Sequence, residues 1–194
     1  MATTPPASQS RRLTQGLLIG LAGFVLAAAA PRLLHTLELR TFDMRARRFA
    51  APSAATDSIR LIFLDQATLD WGKQENGLSW PWMREAYVPL VEFCRRAGAR
   101  SLSFDLLFTE PSAYGSPDDA ALGAALARYG RTIQAVFHPH ATPPIPEVAA
   151  PAALLGHVQA AFDSDGILRR VVPAAAADGR HLPMLGLAPL LLDS

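Results

Sequence analysis

Hydrophobic and polar positions alternate in three different ways along this chain. Residues 13–30 form 18 consecutive positions without a charge, bounded by Arg11 and Arg12 before and by Pro31 and Arg32 after. A helix of that length spans about 27 Å, close to the roughly 30 Å of a bilayer's hydrocarbon core. Gly16, Gly20 and Gly23 weaken a soluble helix but are tolerated in lipid, where the backbone satisfies itself. The pattern predicts a membrane span over 13–30, preceded by a disordered cytoplasmic tail over 1–12. A cleaved secretory signal is the main rival, given Arg11, Arg12 and the small residues 28–30. Pro31 directly after the candidate cleavage site and the length of the run count against it. A buried soluble helix fits less well, because the run has no polar face.

The second regime is amphipathic. Leu33, Leu34, Leu37, Thr41 and Met44 fall on one helical stripe, which predicts a juxtamembrane helix over 31–49. The third regime, residues 50–194, mixes short apolar runs with helical periodicity. Residues 59–65 read as a strand buried on both faces and ending in Asp65. Met83, Tyr87, Leu90, Val91 and Cys94 recur at helical spacing and predict a helix over 85–97, stopped at Gly98. Pro89 fits that helix only in its first turn. Residues 100–107 predict a second strand with Asp105 near its end. A helix over 118–129 follows, with Asp118 and Asp119 at its positive end, and a third strand covers 132–137. This β-α-β-α-β order implies right-handed crossovers and a parallel core. A loop with five prolines covers 138–151. Strands over 156–162 and 168–173 then flank a turn at Asp163-Ser164-Asp165-Gly166, and Asp178-Gly179 repeats the turn signal. Residues 184–192 form an apolar stretch suited to a helix. The fold class expected is α/β: an N-terminal membrane helix, a mixed α/β domain with a parallel core, and C-terminal antiparallel hairpin strands.

Composition narrows the function classes. The net charge is +1, so no electrostatic footprint for nucleic acid exists. Outside Arg11, Arg12 and Arg32, 15 of the 18 basic residues remain against 17 acidic ones, an ordinary soluble balance. Cys94 is the single cysteine, which excludes an internal disulfide.

The chemistry-bearing candidates are few. Asp65 and Asp105 are expected at the ends of adjacent parallel segments, where open α/β sheets bind ligands. Arg84 and Glu110 would reach that crevice from loops, and Trp80 and Trp82 would line it. The competing reading of the two acids is structural, as loop caps paired with Arg84. Asp65-Gln66-Ala67-Thr68-Leu69 falls short of a haloacid-dehalogenase phosphatase signature, because Ala67 stands where a second Asp must act as acid/base. His138 and His140 lack the further ligands a metal site needs. Asp163-Ser164-Asp165-Gly166 fails as a calcium loop, since Ile167 occupies an oxygen position. No catalytic set, cofactor site or metal site emerges.

The order of motifs resembles the second class of CHASE domains, sensory modules of bacterial receptors. The matching residues are Phe42-Asp43-Met44-Arg45; the run 59–65; Trp80-Pro81-Trp82-Met83-Arg84-Glu85-Ala86-Tyr87; Ser103-Phe104-Asp105 through Phe108 with Glu110-Pro111; Asp118-Asp119; Gly156-His157; Asp163 through Arg170; and Leu182-Pro183-Met184. The resemblance covers about residues 33–192. It implies an extracytoplasmic input domain at the bacterial inner membrane, followed in such receptors by further spans and a cytoplasmic cyclase, kinase or cyclic-di-GMP output. The chain ends at Ser194, where return spans are expected, so it reads as a fragment of a receptor or as a stand-alone module. The expected partners are the lipid bilayer through 13–30, a second copy in a homodimer, an output domain or protein, and an unknown small-molecule ligand. The residues expected to bind that ligand are Asp65, Trp80, Trp82, Arg84 and Asp105. The alternatives are a structural dimerisation or docking module without a ligand and, last, a tethered hydrolase using Asp65, Asp105 and a divalent metal.

Overall fold

The computed structural model describes residues 7–137, 142–177 and 179–192. His138, His140 and Asp178 lie outside the described residues. The chain divides into two compact units, one ending at Ile62 and one beginning at Phe63.

The first unit is dominated by one helix, α1 (Ala7–Phe49), which is continuous across the apolar run and the amphipathic stripe. Pro31 sits inside it and removes one backbone donor without ending the helix. Among the described residues this is the one helix long and apolar enough to cross a membrane, by length and composition. A short helix, α2 (Ala54–Ser58), follows, with Ser53 and Thr56 forming a capping box.

The second unit is the mixed α/β domain. Helix α3 (Gln66–Asn76) begins at Asp65 and closes on Gly77, which takes the left-handed conformation (φ 64°) that glycine adopts without strain. A 3₁₀ turn, Arg84–Tyr87, leads into α4 (Val88–Arg96), and Pro89 falls in the first turn of α4 as required. Strand β1 (Leu102–Phe104), helix α5 (Ser116–Tyr129), strand β2 (Thr132–Val136), helix α6 (Pro146–Ala149) and strand β3 (Leu154–His157) follow in order. The three strands form a parallel sheet in the order β1-β2-β3. Leu102 pairs with Thr132 and Ile133 with Leu154.

Every position of β2 is buried, so both faces of the sheet are covered. Alternation along the strand sends successive side chains to opposite faces. Phe104 of β1 packs with Tyr87, Val91, Phe108, Leu122 and Leu126. Ile133 and Ala135 of β2 pack instead with Leu185 and Ala188. Gly156 permits that second packing: a Cβ there would lie 2.7 Å from the Leu185 Cα.

Two expectations about strands need correction. Residues 59–65 form no strand; Ile59, Leu61, Ile62 and Phe63 are exposed. The parallel core is completed by β3 instead. Of the strands expected over 156–162 and 168–173, Gly156 and His157 belong to the parallel strand β3, and the two segments meet only in one antiparallel bridge between Ala161 and Arg170. The antiparallel hairpin lies one turn signal later, between β4 (Ala174–Ala177) and β5 (Arg180–Pro183), with Gly179 at φ 73°. The apolar 184–192 stretch contains a 3₁₀ turn, Ala188–Leu191. The class of fold expected from the sequence, a long apolar N-terminal helix followed by mixed α/β structure with a parallel sheet and an antiparallel hairpin, is the one observed.

Candidate functional site

A polar cluster of the α/β unit forms where the start of the Arg84–Tyr87 turn meets the start of α5. A 3₁₀ or α-helical start leaves backbone N–H groups without partners. Asp118 supplies them from a distance in sequence. Its Oδ2 accepts from the Arg84 N–H at 2.7 Å and its Oδ1 from the Glu85 N–H at 2.8 Å. The Ser112 hydroxyl donates to the same Oδ2. Asp118 is 8% and Asp119 3% exposed. Burial would raise the Asp118 pKa, but the Ser112 hydroxyl, the Arg84 and Glu85 amides and the Arg84 charge outweigh it. The carboxyl therefore titrates below the ordinary aspartate range.

Asp119 completes the cluster. It accepts from Arg84 Nε at 3.3 Å and from the Ser112 N–H at 2.9 Å. Arg84 also donates from Nη2 to the Glu110 carbonyl at 2.9 Å, and its guanidinium lies 4.6 Å from the Phe108 ring centre. One cation thus faces two carboxylates, a carbonyl and an aromatic face, which uses the geometry peculiar to arginine. Trp82 stands beside this cluster, its ring 6.3 Å from Tyr87 and tilted by 41°. A Cβ on Gly72 would come within 2.6 Å of the Trp82 ring, so the indole packs directly on the backbone of α3. The Trp82 Nε1 is buried with no hydrogen-bond partner among the described residues.

The five expected ligand residues separate into two groups. Trp82 and Arg84 enter the cluster. Trp80, which precedes a cis peptide bond to Pro81, is 54% exposed on the same loop. Asp65 and Asp105 are not the ends of adjacent strands, because the segment before Asp65 is unpaired. Asp65 is the exposed N-cap of α3, its Oδ1 accepting from the Thr68 N–H at 2.8 Å and the Thr68 hydroxyl at 2.7 Å. Those bonds hold its pKa below the ordinary range. Asp105 is exposed just past β1. The arginine partners are therefore Asp118 and Asp119, which the sequence marked as first-turn acids of a helix and as part of the resemblance.

A second acid–arginine group occupies the turn at 163–170. Arg169 donates to Asp165 through Nη1 at 2.8 Å and Nη2 at 2.7 Å, a two-pronged contact, and to Asp163 at 3.1 Å. Arg170 reaches the other Asp163 oxygen at 2.7 Å. Hydrogen bonding from Arg169 outweighs burial and lowers the Asp165 pKa to about 2. Among the described residues no group of three or more His, Cys, Asp and Glu side chains is placed to hold a metal ion.

The family model for the CHASE2 domain matches residues 18–193, and the chain belongs to that family. It is thus a sensory domain of the kind that stands outside the cytoplasm in signalling proteins, non-catalytic by itself. Neither the curated proteins nor the solved structures contain a match to the chain.

Proposed function

We propose that this chain is the input module of a bacterial membrane receptor. In this reading residues 1–12 are cytoplasmic, 13–30 span the inner membrane, 31–49 form the juxtamembrane helix, and 50–194 lie in the periplasm or outside the cell. The domain binds a small-molecule stimulus and relays it to a cyclase or kinase output. The loop through Trp80, Trp82 and Arg84 is the contact surface, and Asp65 and Asp105 add exposed carboxylates to the same unit. The observation that carries the reading is the contrast within one loop. Trp80 is exposed, whereas Trp82 and Arg84 two and four residues later are tied into α3, α5 and the 3₁₀ turn. A ligand held by Trp80 would therefore act on residues already coupled to the core, which gives two states of different ligand affinity a physical connection.

Alkaline phosphatase fused after Leu192 should be active in cells, and the same reporter fused after Ser10 inactive; the opposite result overturns the orientation. Thermal-shift screening of the full chain in micelles against amino acids, sugars and nucleotides should find a compound whose stabilisation disappears in Trp80→Ala. A compound that stabilises Trp80→Ala equally removes the loop from the site. The second reading, a dimerisation module without a ligand, draws on the exposed stripe of Leu34, Leu37 and Met44. It predicts no shift with any compound and a melting temperature that rises with protein concentration.

A further inference from the structure

We infer that the end of the α/β unit where α4 and α5 stop is a docking surface for the anionic headgroups of the bilayer that anchors the chain. The proposal rests on the membrane reading above and adds to it a second contact with that membrane, made by the sensory unit itself. Residues 63–194 hold ten basic and fourteen acidic side chains, so the unit as a whole is negative. Five of the ten, Arg95, Arg96, Arg100, Arg128 and Arg131, fall in the short segments 92–100 and 128–131, where Glu92 is the single acid. The structure brings these segments side by side. Helix α4 leaves through Gly98 into β1, α5 leaves through Gly130 into β2, and the two strands are parallel neighbours. Glu92 accepts from Arg95 Nε at 2.9 Å and pairs with Arg128 Nη2 at 2.8 Å, which ties α4 to α5. The Tyr129 hydroxyl donates to the Ala99 carbonyl at 2.7 Å, and Arg131 donates to the Arg100 carbonyl. By side-chain count this end carries +4, whereas the rest of the unit carries −8.

Local structure accounts for only part of this charge. Arg95, Arg96 and Arg128 lie in the last turns of their helices, where the dipole favours cations. Arg100 and Arg131 lie past the helix ends, at the entries to β1 and β2, beyond the turn in which that field is felt. Five like charges against one acid repel one another, and an external negative surface relieves that repulsion. Phe93 supplies an apolar component. Val91 and Cys94 turn inward from α4, while Phe93 is 61% exposed one turn before Arg96. An exposed ring among arginines suits the headgroup layer, with guanidinium on phosphate and the ring at the acyl boundary.

Charge and tethering both select the bilayer as the occupant. The chain is held to it by α1, so the surface is always at high effective concentration. Residues 50–62, of which only 54–58 are helical, span up to about 35 Å. That exceeds the about 28 Å by which 31–49 extends past the span, so the tether lets the unit return to the membrane surface. Each arginine close to an anionic surface favours association about fivefold, so a net four charges give roughly several hundredfold at low ionic strength.

The test uses the full chain with Cys94→Ala and one bimane-labelled cysteine, reconstituted in nanodiscs that contain a lipid with a nitroxide on its headgroup. In Ala97→Cys, beside the arginines, the probe should be quenched in phosphatidylcholine discs with about 30% phosphatidylglycerol and not in phosphatidylcholine alone. About 0.5 M NaCl should abolish the quenching. In Ser79→Cys, on the exposed loop that leads to Trp80, the probe should stay bright in both discs. Arg96→Glu with Arg100→Glu, both at exposed positions, should lower the docked-to-free ratio at least about tenfold with the far-UV circular dichroism unchanged. Quenching at Ala97 that is absent, indifferent to lipid charge and salt, or matched at Ser79 overturns the docking surface and leaves the membrane reading intact. The lipid and salt comparisons leave the arginines unaltered, so they decide the matter even where the double variant does not fold. Release of the chain from vesicles by an alkaline wash overturns both readings.

Discussion

The two acid–arginine clusters contain the same chemistry in opposite settings. In the first, Arg84 meets Asp119 across 35 positions of sequence, and the side chains are 13% and 4% exposed. In the second, Arg169 meets Asp165 four positions away on one turn, and Asp165 is 39% exposed. A cluster closed over a long sequence separation joins elements that nothing local holds together. A cluster closed within a turn only sharpens a turn that Gly166 already permits. The first is accordingly a lock of the tertiary structure and the second a staple of local geometry.

That contrast is tested most severely at Asp118. Asp118→Ala removes the acceptor of two backbone amides and of Ser112, leaving buried donors unpaired, and should cost about 3 kcal/mol. The measurement is urea unfolding of the full chain in micelles, followed by far-UV circular dichroism. A loss below about 1 kcal/mol would mean that water replaces the carboxylate and that the junction is no lock. Next in size, Arg84→Met and Asp119→Asn should show a coupling of about 1–2 kcal/mol in a double-mutant cycle, because each alone strands a partly buried charge or dipole. Additive effects would separate the two residues and leave Asp118 as the working part.

The sequence made the class of fold legible and concealed this lock, for a physical reason. Periodicity reports which face of an element is apolar, so α4 is readable from Val91 and Cys94, while α5 is readable from the acids at its start. It does not report what an element packs against. The run 59–65 has the composition of a buried strand but is unpaired, and β3, with only Leu154 and Leu155 to mark it, takes a place in the sheet. Helix α3 carried its own signals in Asp65, Thr68 and the Asn76-Gly77 ending, which are cap residues and not periodic ones. Asp118 and Asp119 were visible as first-turn acids of α5. Their real partners, the Arg84 and Glu85 amides, are main-chain groups that no side-chain pattern encodes.

Acid weakens both clusters. The folded pKa values of Asp118 and Asp165 both lie below the ordinary aspartate value of 3.8. A depressed folded pKa means that the unfolded chain binds protons first as pH falls. The stabilisation is therefore complete above about pH 5 and is lost as pH falls through the folded value, near pH 2 for Asp165. Both clusters should hold at pH 6 and weaken below about pH 4, the Asp165 pair down to about pH 2. Salt probes the burial of the first cluster, since roughly 1 M NaCl screens exposed pairs within about 3 Å and buried ones much less. At pH 6, added salt should leave the stability difference between the wild type and Asp118→Ala unchanged. A difference that shrinks with salt would show that the Asp118 junction is open to solvent.

The smallest effect belongs to Arg170. Its side chain is 72% exposed although it reaches Asp163 at 2.7 Å, a distance as short as any in the turn. Distance alone would rank it with Arg169, whose side chain is 5% exposed. Exposure ranks it far lower, because an ion pair in water gains little over two hydrated ions and must still order a long side chain. Arg170→Gln should leave the urea midpoint unchanged within error, while Arg169→Gln, which strips Asp163 and Asp165 of their shared partner, should move it measurably. Equal shifts for the two variants would show that contact distance decides the strength of this turn, and the separation of lock from staple by burial would fail with it.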